Sequence, residues 1–165
     1  MFPRYLDAMP ATSAGLLLYR LRDGAPEVLL VHPGGPFWAR RDEGAWSIPK
    51  GEYAGGEDPR AAARRELEEE LGSVPALGDL IDLGEVRQRG GKVVHAWAAE
   101  GDFDPSTLRS NTFEAEWPPR SGRRREFPEV DRAEWLSPDA ARVKINPAQA
   151  AFLDRLLERI RSEPA

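Results

Sequence analysis

The segment from Gly51 to Gly72, GEYAGGEDPRAAARRELEEELG, constrains this chain more than any other. A glycine-rich loop, Gly51 to Gly56, runs into a stretch dense in glutamate. Asp58 is a good N-cap residue, and Pro59 falls at the first helical position, where a missing N–H costs nothing. Gly72 stands where a C-cap glycine belongs. At about 100° per residue, Glu66, Glu69 and Glu70 share an arc of roughly 100° with Ala62, whose methyl adds almost no bulk. Ala63, Leu67 and Leu71 form the adjoining stripe, which is predicted to face the core. Glu68 points the opposite way, towards solvent and near Arg64. Like charges at i, i+4 cost on the order of 0.2–0.5 kcal/mol per pair even when exposed. A divalent cation relieves such repulsion, and all-oxygen ligands suit the hard ions Mg²⁺ and Mn²⁺. An acidic, alanine-rich helix on its own is most often a solvated face. The loop in front of it shifts the balance towards chemistry.

The stretch resembles the motif of the Nudix hydrolases: Gly, five residues, Glu, seven residues, Arg-Glu, an aliphatic residue, any residue, Glu-Glu, any residue, Gly, an aliphatic residue. Here those positions are Gly51, Glu57, Arg65, Glu66, Leu67, Glu69, Glu70, Gly72 and Ser73. Only Ser73 departs from the pattern, and Val74 offers an aliphatic side chain one place later. Seven of the matches demand a single residue type, so a given window matches by chance about once in 10⁸. The motif covers about a seventh of the chain.

The resemblance implies an α/β fold, the Nudix-type α/β/α sandwich with a mixed β-sheet. It also implies a Mg²⁺- or Mn²⁺-dependent pyrophosphohydrolase that cleaves a nucleoside diphosphate linked to another group, X. Carried over by position, Glu66, Glu69 and Glu70 form the metal face, joined by a backbone carbonyl at Lys50 or Gly51. Arg65 orients a glutamate and Glu57 supports the site from the loop. Spacing leaves open which glutamate takes the proton from water; Glu66 is the expectation. Family members often recruit a further glutamate from a late loop. Glu114, Glu116, Glu126 and Glu129 qualify, and Glu129 is favoured because EVDRAEW leads straight into the strand and helix that follow such a loop. The SIPKGE context, with Lys50 ahead of the first motif glycine, looks like members acting on dinucleoside polyphosphates or diphosphoinositol polyphosphates. Lys50 is therefore expected at a substrate phosphate. The leading substrates are a dinucleoside polyphosphate or a nucleoside triphosphate. ADP-ribose or another nucleotide sugar is the alternative. A nucleotide-sensing module without catalysis is disfavoured, because all four motif glutamates are present.

Composition narrows the class. The 165 residues, taken as one domain over 1–165, suffice for a sizeable core. The formal net charge of −5 argues against a general binder of extended nucleic acid or of membrane surface, but not against a small anionic nucleotide. There is no cysteine, hence no disulfide, thiol nucleophile or zinc–thiolate site. No apolar run reaches membrane-spanning length, and MFPRYLDAMPATSAG lacks the apolar core of a signal peptide. A cytoplasmic enzyme, monomeric or homodimeric, is expected.

Along the chain, residues 1 to 12 read as irregular. Ser13 to Leu21, Glu27 to His32, Ala45 to Pro49, Thr112 to Trp117 and Ala133 to Leu136 read as strands. Leu80 to Arg89 and Lys92 to Glu100 read as a hairpin around Gly90-Gly91. Residues 33–44 and 118–129 read as loops, with a short turn or helix between Asp104 and Arg109. Ser137-Pro138 starts a short helix. Asn146-Pro147 starts the last one, in which Leu153, Leu156, Leu157 and Ile160 face inward and Arg155, Glu158 and Arg159 outward. Of five tryptophans, Trp97 and Trp135 are expected in the core, and Trp38, in a Gly-Pro loop, is the candidate to stack on a base. Arg120, Arg123, Arg124 and Arg125 cluster in a loop, either solubilising it or reaching for phosphate. His32 and His95 are expected to be structural.

Overall fold

The computed structural model describes residues 12–162; the irregular N-terminal segment expected over residues 1 to 12 lies almost wholly outside them. Strands are β1 (Thr12–Arg22), β2 (Ala25–Pro33), β3 (Lys50–Glu52), β4 (Ile81–Arg87), β5 (Val93–Glu100), β6 (Thr112–Glu116), β7 (Arg124–Pro128) and β8 (Val130–Leu136). Helices are α1 (Pro59–Leu71), α2 (Pro138–Lys144) and α3 (Ala150–Ser162). The main sheet runs β4-β5-β1-β2-β8, with β3 added against β1. β1 pairs with β5 in parallel, and every other pairing in the sheet is antiparallel.

Alternation builds the layers. On β1, Ala14, Leu16 and Leu18 face α1, whereas Leu17 and Tyr19 face the opposite side. Leu29 and Val31 of β2 join the first group, Val28 and Leu30 the second. Both faces of the central strands are therefore dry, which explains their near-continuous apolar runs. α1 covers one face through Ala62, Ala63, Leu67 and Leu71. α2 and α3 cover the other through Ala141, Phe152, Leu153 and Leu156. This is the α/β/α sandwich with a mixed sheet. The β4–β5 hairpin turns at Arg89–Gly91, as its two glycines imply.

Four details differ from the sequence reading. Ala45 to Pro49 is not a strand. Its backbone makes isolated bridges from Ser47 to Val31 and from Trp46 to Ile145, and pairing resumes only at Lys50. The fully buried Trp46 is bonded to Asp42, Lys144 and Asn146, and the fully buried Ile48 is held by Gln149, which is itself inaccessible. The Gln149 carboxamide oxygen accepts from the Ile48 amide at 3.0 Å, and its nitrogen donates to Gln88 at 2.8 Å and to the Ser47 hydroxyl at 3.0 Å. The second difference is β7, which lies inside the stretch read as a loop. It pairs with β6 as a separate ribbon, with the exposed charges on its strands hiding the one apolar cross-strand pair, Phe113 and Phe127. Third, Arg155 is half-buried because its guanidinium donates to the carbonyls of Leu83 and Glu85. Fourth, Trp135 is only half-buried, under the Arg20 guanidinium, while Trp97 is in the core as expected.

Both histidines are structural. His32 is fully buried, with its ring nitrogens 2.7 Å from Asp131 and 2.6 Å from the Arg41 carbonyl. His95 stacks on Trp97 and meets Asp82 at 2.8 Å.

Gln149→Leu is expected to destabilise the protein by about 1–3 kcal/mol, because the Ile48 amide is left buried without a partner. Urea unfolding measures it. An unchanged midpoint would show that this amide does not depend on Gln149.

Candidate active site

α1 begins and ends as its sequence dictates. The Asp58 carboxylate accepts from the Arg60 amide, and Gly72 takes φ 91°, a left-handed conformation open to glycine at little cost. Those caps fix the helical phase. Ala62, Ala63, Leu67 and Leu71 are then buried, Glu66 lies at the edge of the core with 7% exposure, and Glu68 faces solvent.

One guanidinium organises the glutamates. Arg65 donates to both Glu57 carboxylate oxygens, at 3.0 and 3.1 Å, which ties the loop to the helix by a bidentate pair. Its Nη1 donates to Glu66 at 2.9 Å and to Glu69 at 3.3 Å. The hydrogen bonds to Glu57, before the nearby Glu66 charge, strengthen the cation further.

The carboxylates pay unequal electrostatic costs. Glu66 sits above the usual carboxylate range, chiefly through burial, then through the Glu69 charge; Arg65 opposes both. Glu70 is half-buried as a residue, yet its carboxyl is well enclosed, and burial pushes it up to about 8 against the opposing charge of Lys50. Glu66 and Glu129 push it the same way. Lys50 is held below its ordinary value by burial, with Glu70 opposing. A buried acid and a buried base thus face each other beside the motif.

Gly51 allows this crowding. It lies in β3 opposite Ala14, directly over the Glu66 carboxylate, and a β-carbon there would collide with both Glu66 oxygens.

Of the late-loop candidates, Glu129 is the one that reaches the site. With Lys50, Glu70, Ser47 and Val31 it lines a cavity of about 140 Å³. Glu114, Glu116 and Glu126 lie on the β6–β7 ribbon, where Glu114 pairs with Arg124 and Glu126 accepts from Thr112. A second hollow of about 520 Å³ opens beside Arg65 and Glu69 and is lined by Arg109, Ser110 and Asn111, residues to which the motif gave no pointer. The hollow of about 540 Å³ around Arg20 and Trp135 holds no motif residue. Trp38 is 40% exposed in the loop after β2, with the Arg41 guanidinium 5.6 Å from its ring.

Among the described residues, no three His, Cys, Asp or Glu side chains stand ready as a metal cage. Arg65 holds oxygens of Glu66 and Glu69. The donor set nevertheless fits a hard divalent cation. It is all oxygen, and burial makes the enclosed Glu66 and Glu70 costly to ionise, a cost that a cation offsets.

Comparisons with known proteins bear on the family. A family model described as the NUDIX domain matches residues 9–156. The chain is 34% identical over 121 residues to an 8-oxo-(d)GTP phosphatase of Mycolicibacterium smegmatis, which covers 69% of this chain and 30% of that protein. It is 43% identical over 74 residues to an RNA pyrophosphohydrolase of Rhodospirillum rubrum, 44% of each. The matched segments thus span less than half of those relatives' lengths. The crystal structure of a C. elegans Ap4A hydrolase binary complex superposes with a TM-score of 0.63 at 21% identity, over 93% of this chain and 99% of that one, a likeness of fold. No helix among the described residues is long and apolar enough to cross a membrane. With the caps, the Arg65-centred glutamates and a family match over nearly the whole length pointing the same way, the chain belongs to the Nudix family.

Proposed function

We propose that the chain is a Mg²⁺- or Mn²⁺-dependent pyrophosphohydrolase acting on a nucleoside diphosphate linked to X, with a dinucleoside polyphosphate or a nucleoside triphosphate as substrate. The observation that carries this reading is the gathering of Glu66, Glu70 and Glu129 around Lys50 and Gly51, with Glu69 beside Glu66 on the same Arg65 guanidinium. So many carboxylates at one half-buried place have little structural use without a cation.

Glu66, Glu69, Glu70 and Glu129, with the backbone at Gly51, would hold the ion. When bound, it would screen the phosphate oxygens and acidify the attacking water. The chain's own groups do the rest. Glu66 would accept the water proton, the role expected from its place in the motif. Arg65 keeps Glu66 and Glu57 in register, a positioning role. Lys50 meets a substrate phosphate, and its partial desolvation strengthens that contact. Trp38 offers a face to the base. The relative named 8-oxo-(d)GTP phosphatase favours a nucleoside triphosphate, and the SIPKGE context favours a polyphosphate chain. Such an enzyme would work in the cytoplasm on soluble nucleotides.

A hydrolysis screen with Mg²⁺ is the direct test. Diadenosine tetraphosphate or an NTP is expected to turn over faster than ADP-ribose or a diphosphoinositol polyphosphate. Turnover of none of them, despite metal binding, would sink the proposal. In the same assay Glu69→Gln and Glu70→Gln are each expected to lose at least about tenfold in rate while keeping their fold, and Glu68→Gln to stay near wild type. A large loss at Glu68 would overturn the assignment of the metal face.

Gly51→Ala probes the site without touching a charge. Its β-carbon displaces the Glu66 carboxylate, so Mg²⁺ affinity by calorimetry is expected to fall by about 10–100-fold. Unchanged affinity would exclude Glu66 from the metal shell.

A further inference from the structure

The reading above draws only on Trp38 from one charged surface, where the loop after β2 meets the β6–β7 ribbon. The loop segment 36–41, PFWARR, and the ribbon tip 117–125, WPPRSGRRR, carry six arginines, against Glu114, Glu116 and Glu126 on the flanking strands, in a chain whose net charge is −5. Phe37 and Trp117 join the two segments edge to face, ring centroids 5.7 Å apart. Phe37 is nonetheless 66% exposed. Arg124 is paired with Glu114, but Arg40, Arg120, Arg123 and Arg125 form no salt bridge among the described residues. Large rings and unpaired guanidinium groups left together in water are what a polyanion with flat faces requires.

The surface is rooted in the candidate active site. The Gly34 amide donates to the Glu129 carbonyl at 2.9 Å, and the Glu129 amide donates to Asn111 at 2.8 Å, just ahead of β6. Gly34 lies against Pro128, and Gly35 lies under the Phe113 ring, each too close to admit a β-carbon. Loop and ribbon therefore form one block with Glu129 at its base. Five residues of strand place the arginine-rich tip about 16 Å from that base.

That distance selects the ligand. In a nucleoside triphosphate or a dinucleoside polyphosphate the phosphates lie together at the bond to be cut, and the far end is an uncharged nucleoside. A polynucleotide carries a further phosphate at every residue. Only the latter gives cations remote from the glutamates something to bind. We propose that the exposed Phe37–Trp117 pair and the surrounding arginines form a binding surface for single-stranded nucleic acid, whose 5′ polyphosphate end then lies at the glutamates. The placement of the 5′ end rests on the pyrophosphohydrolase reading; strand binding does not.

A 5′-hydroxyl RNA 10-mer, which has no anhydride to cleave, tests the surface alone. Fluorescence anisotropy across a salt series is expected to give saturable binding that weakens as salt rises, and a blunt duplex of the same length should bind less well, its bases being already stacked. The combined Arg120→Gln, Arg123→Gln and Arg125→Gln variant should lower the log–log salt slope by about 2, at roughly 0.7 per lost phosphate contact to a single strand. Phe37→Ala, an exposed change with little bearing on folding, should weaken binding by about fivefold or more. Thermal melting verifies that each variant is folded. No binding by the wild type, equal binding of duplex and single strand, or variants that bind like the wild type would overturn the proposal. So would association of the wild type into a dimer that Phe37→Ala dissolves, since the ring would then serve a second copy of the chain. Hydrolysis of free nucleotides without RNA binding would overturn this inference and leave the function standing. RNA binding without hydrolysis of any anhydride would do the reverse.

Discussion

Carboxylates do not gather on one helix face unaided, and most of the architecture around α1 answers to their mutual repulsion. Arg65 neutralises part of it by reaching Glu57, Glu66 and Glu69 at once. Glu70 has no such guanidinium and is left enclosed, balanced by Lys50 across a small cavity. The sheet enters the same account, because β3 must present a residue without a side chain where Glu66 comes up against it. The register of Ala14 with Gly51 does that. A slip of one residue would bring Lys50 or Glu52 to the spot, each with a β-carbon, so the pairing and the charge cluster depend on one another.

Much of this was legible before any coordinates. The caps of α1 are local signals, Asp58, Pro59 and Gly72, and local signals fix phase; the phase in turn separates the buried Ala63, Leu67 and Leu71 from the exposed Glu68. The apolar runs of β1 and β2 announced strands covered on both faces. What the sequence did not carry was long-range. Nothing near Ala45 to Pro49 says that Gln149, a hundred residues on, will satisfy the Ile48 amide and so remove the need for a strand there. The ribbon over 112–128 was half missed because a two-stranded element outside the core needs almost no apolar alternation; Phe113 and Phe127 suffice. Arg155 misled for a related reason: a long cationic side chain spaced for solvent can fold back onto carbonyls that only the tertiary structure supplies. At the candidate site, the motif pointed to residues of α1 and its loop. Glu129 came from its position before a strand rather than from any pattern, and Arg109, Ser110 and Asn111 had no signal.

The loop after β2 is fastened at two points. Near its start the Gly34 amide is bonded to Glu129, and at its far side the Arg41 carbonyl meets buried His32, which also grips Asp131. Both fastenings end on the start of β8. The intervening residues therefore form a closed ring of set circumference, braced on the start of β8 and on Glu129 just ahead of it. The ribbon tip around Arg120 to Arg123 lies beyond the Phe37–Trp117 contact and is bonded within its own turn. Insertions and deletions should accordingly be resisted in the ring, where they would pull β8 out of line, and tolerated at the tip. Within one patch of surface, then, evolution has a part it can lengthen at will and a part whose length it must keep.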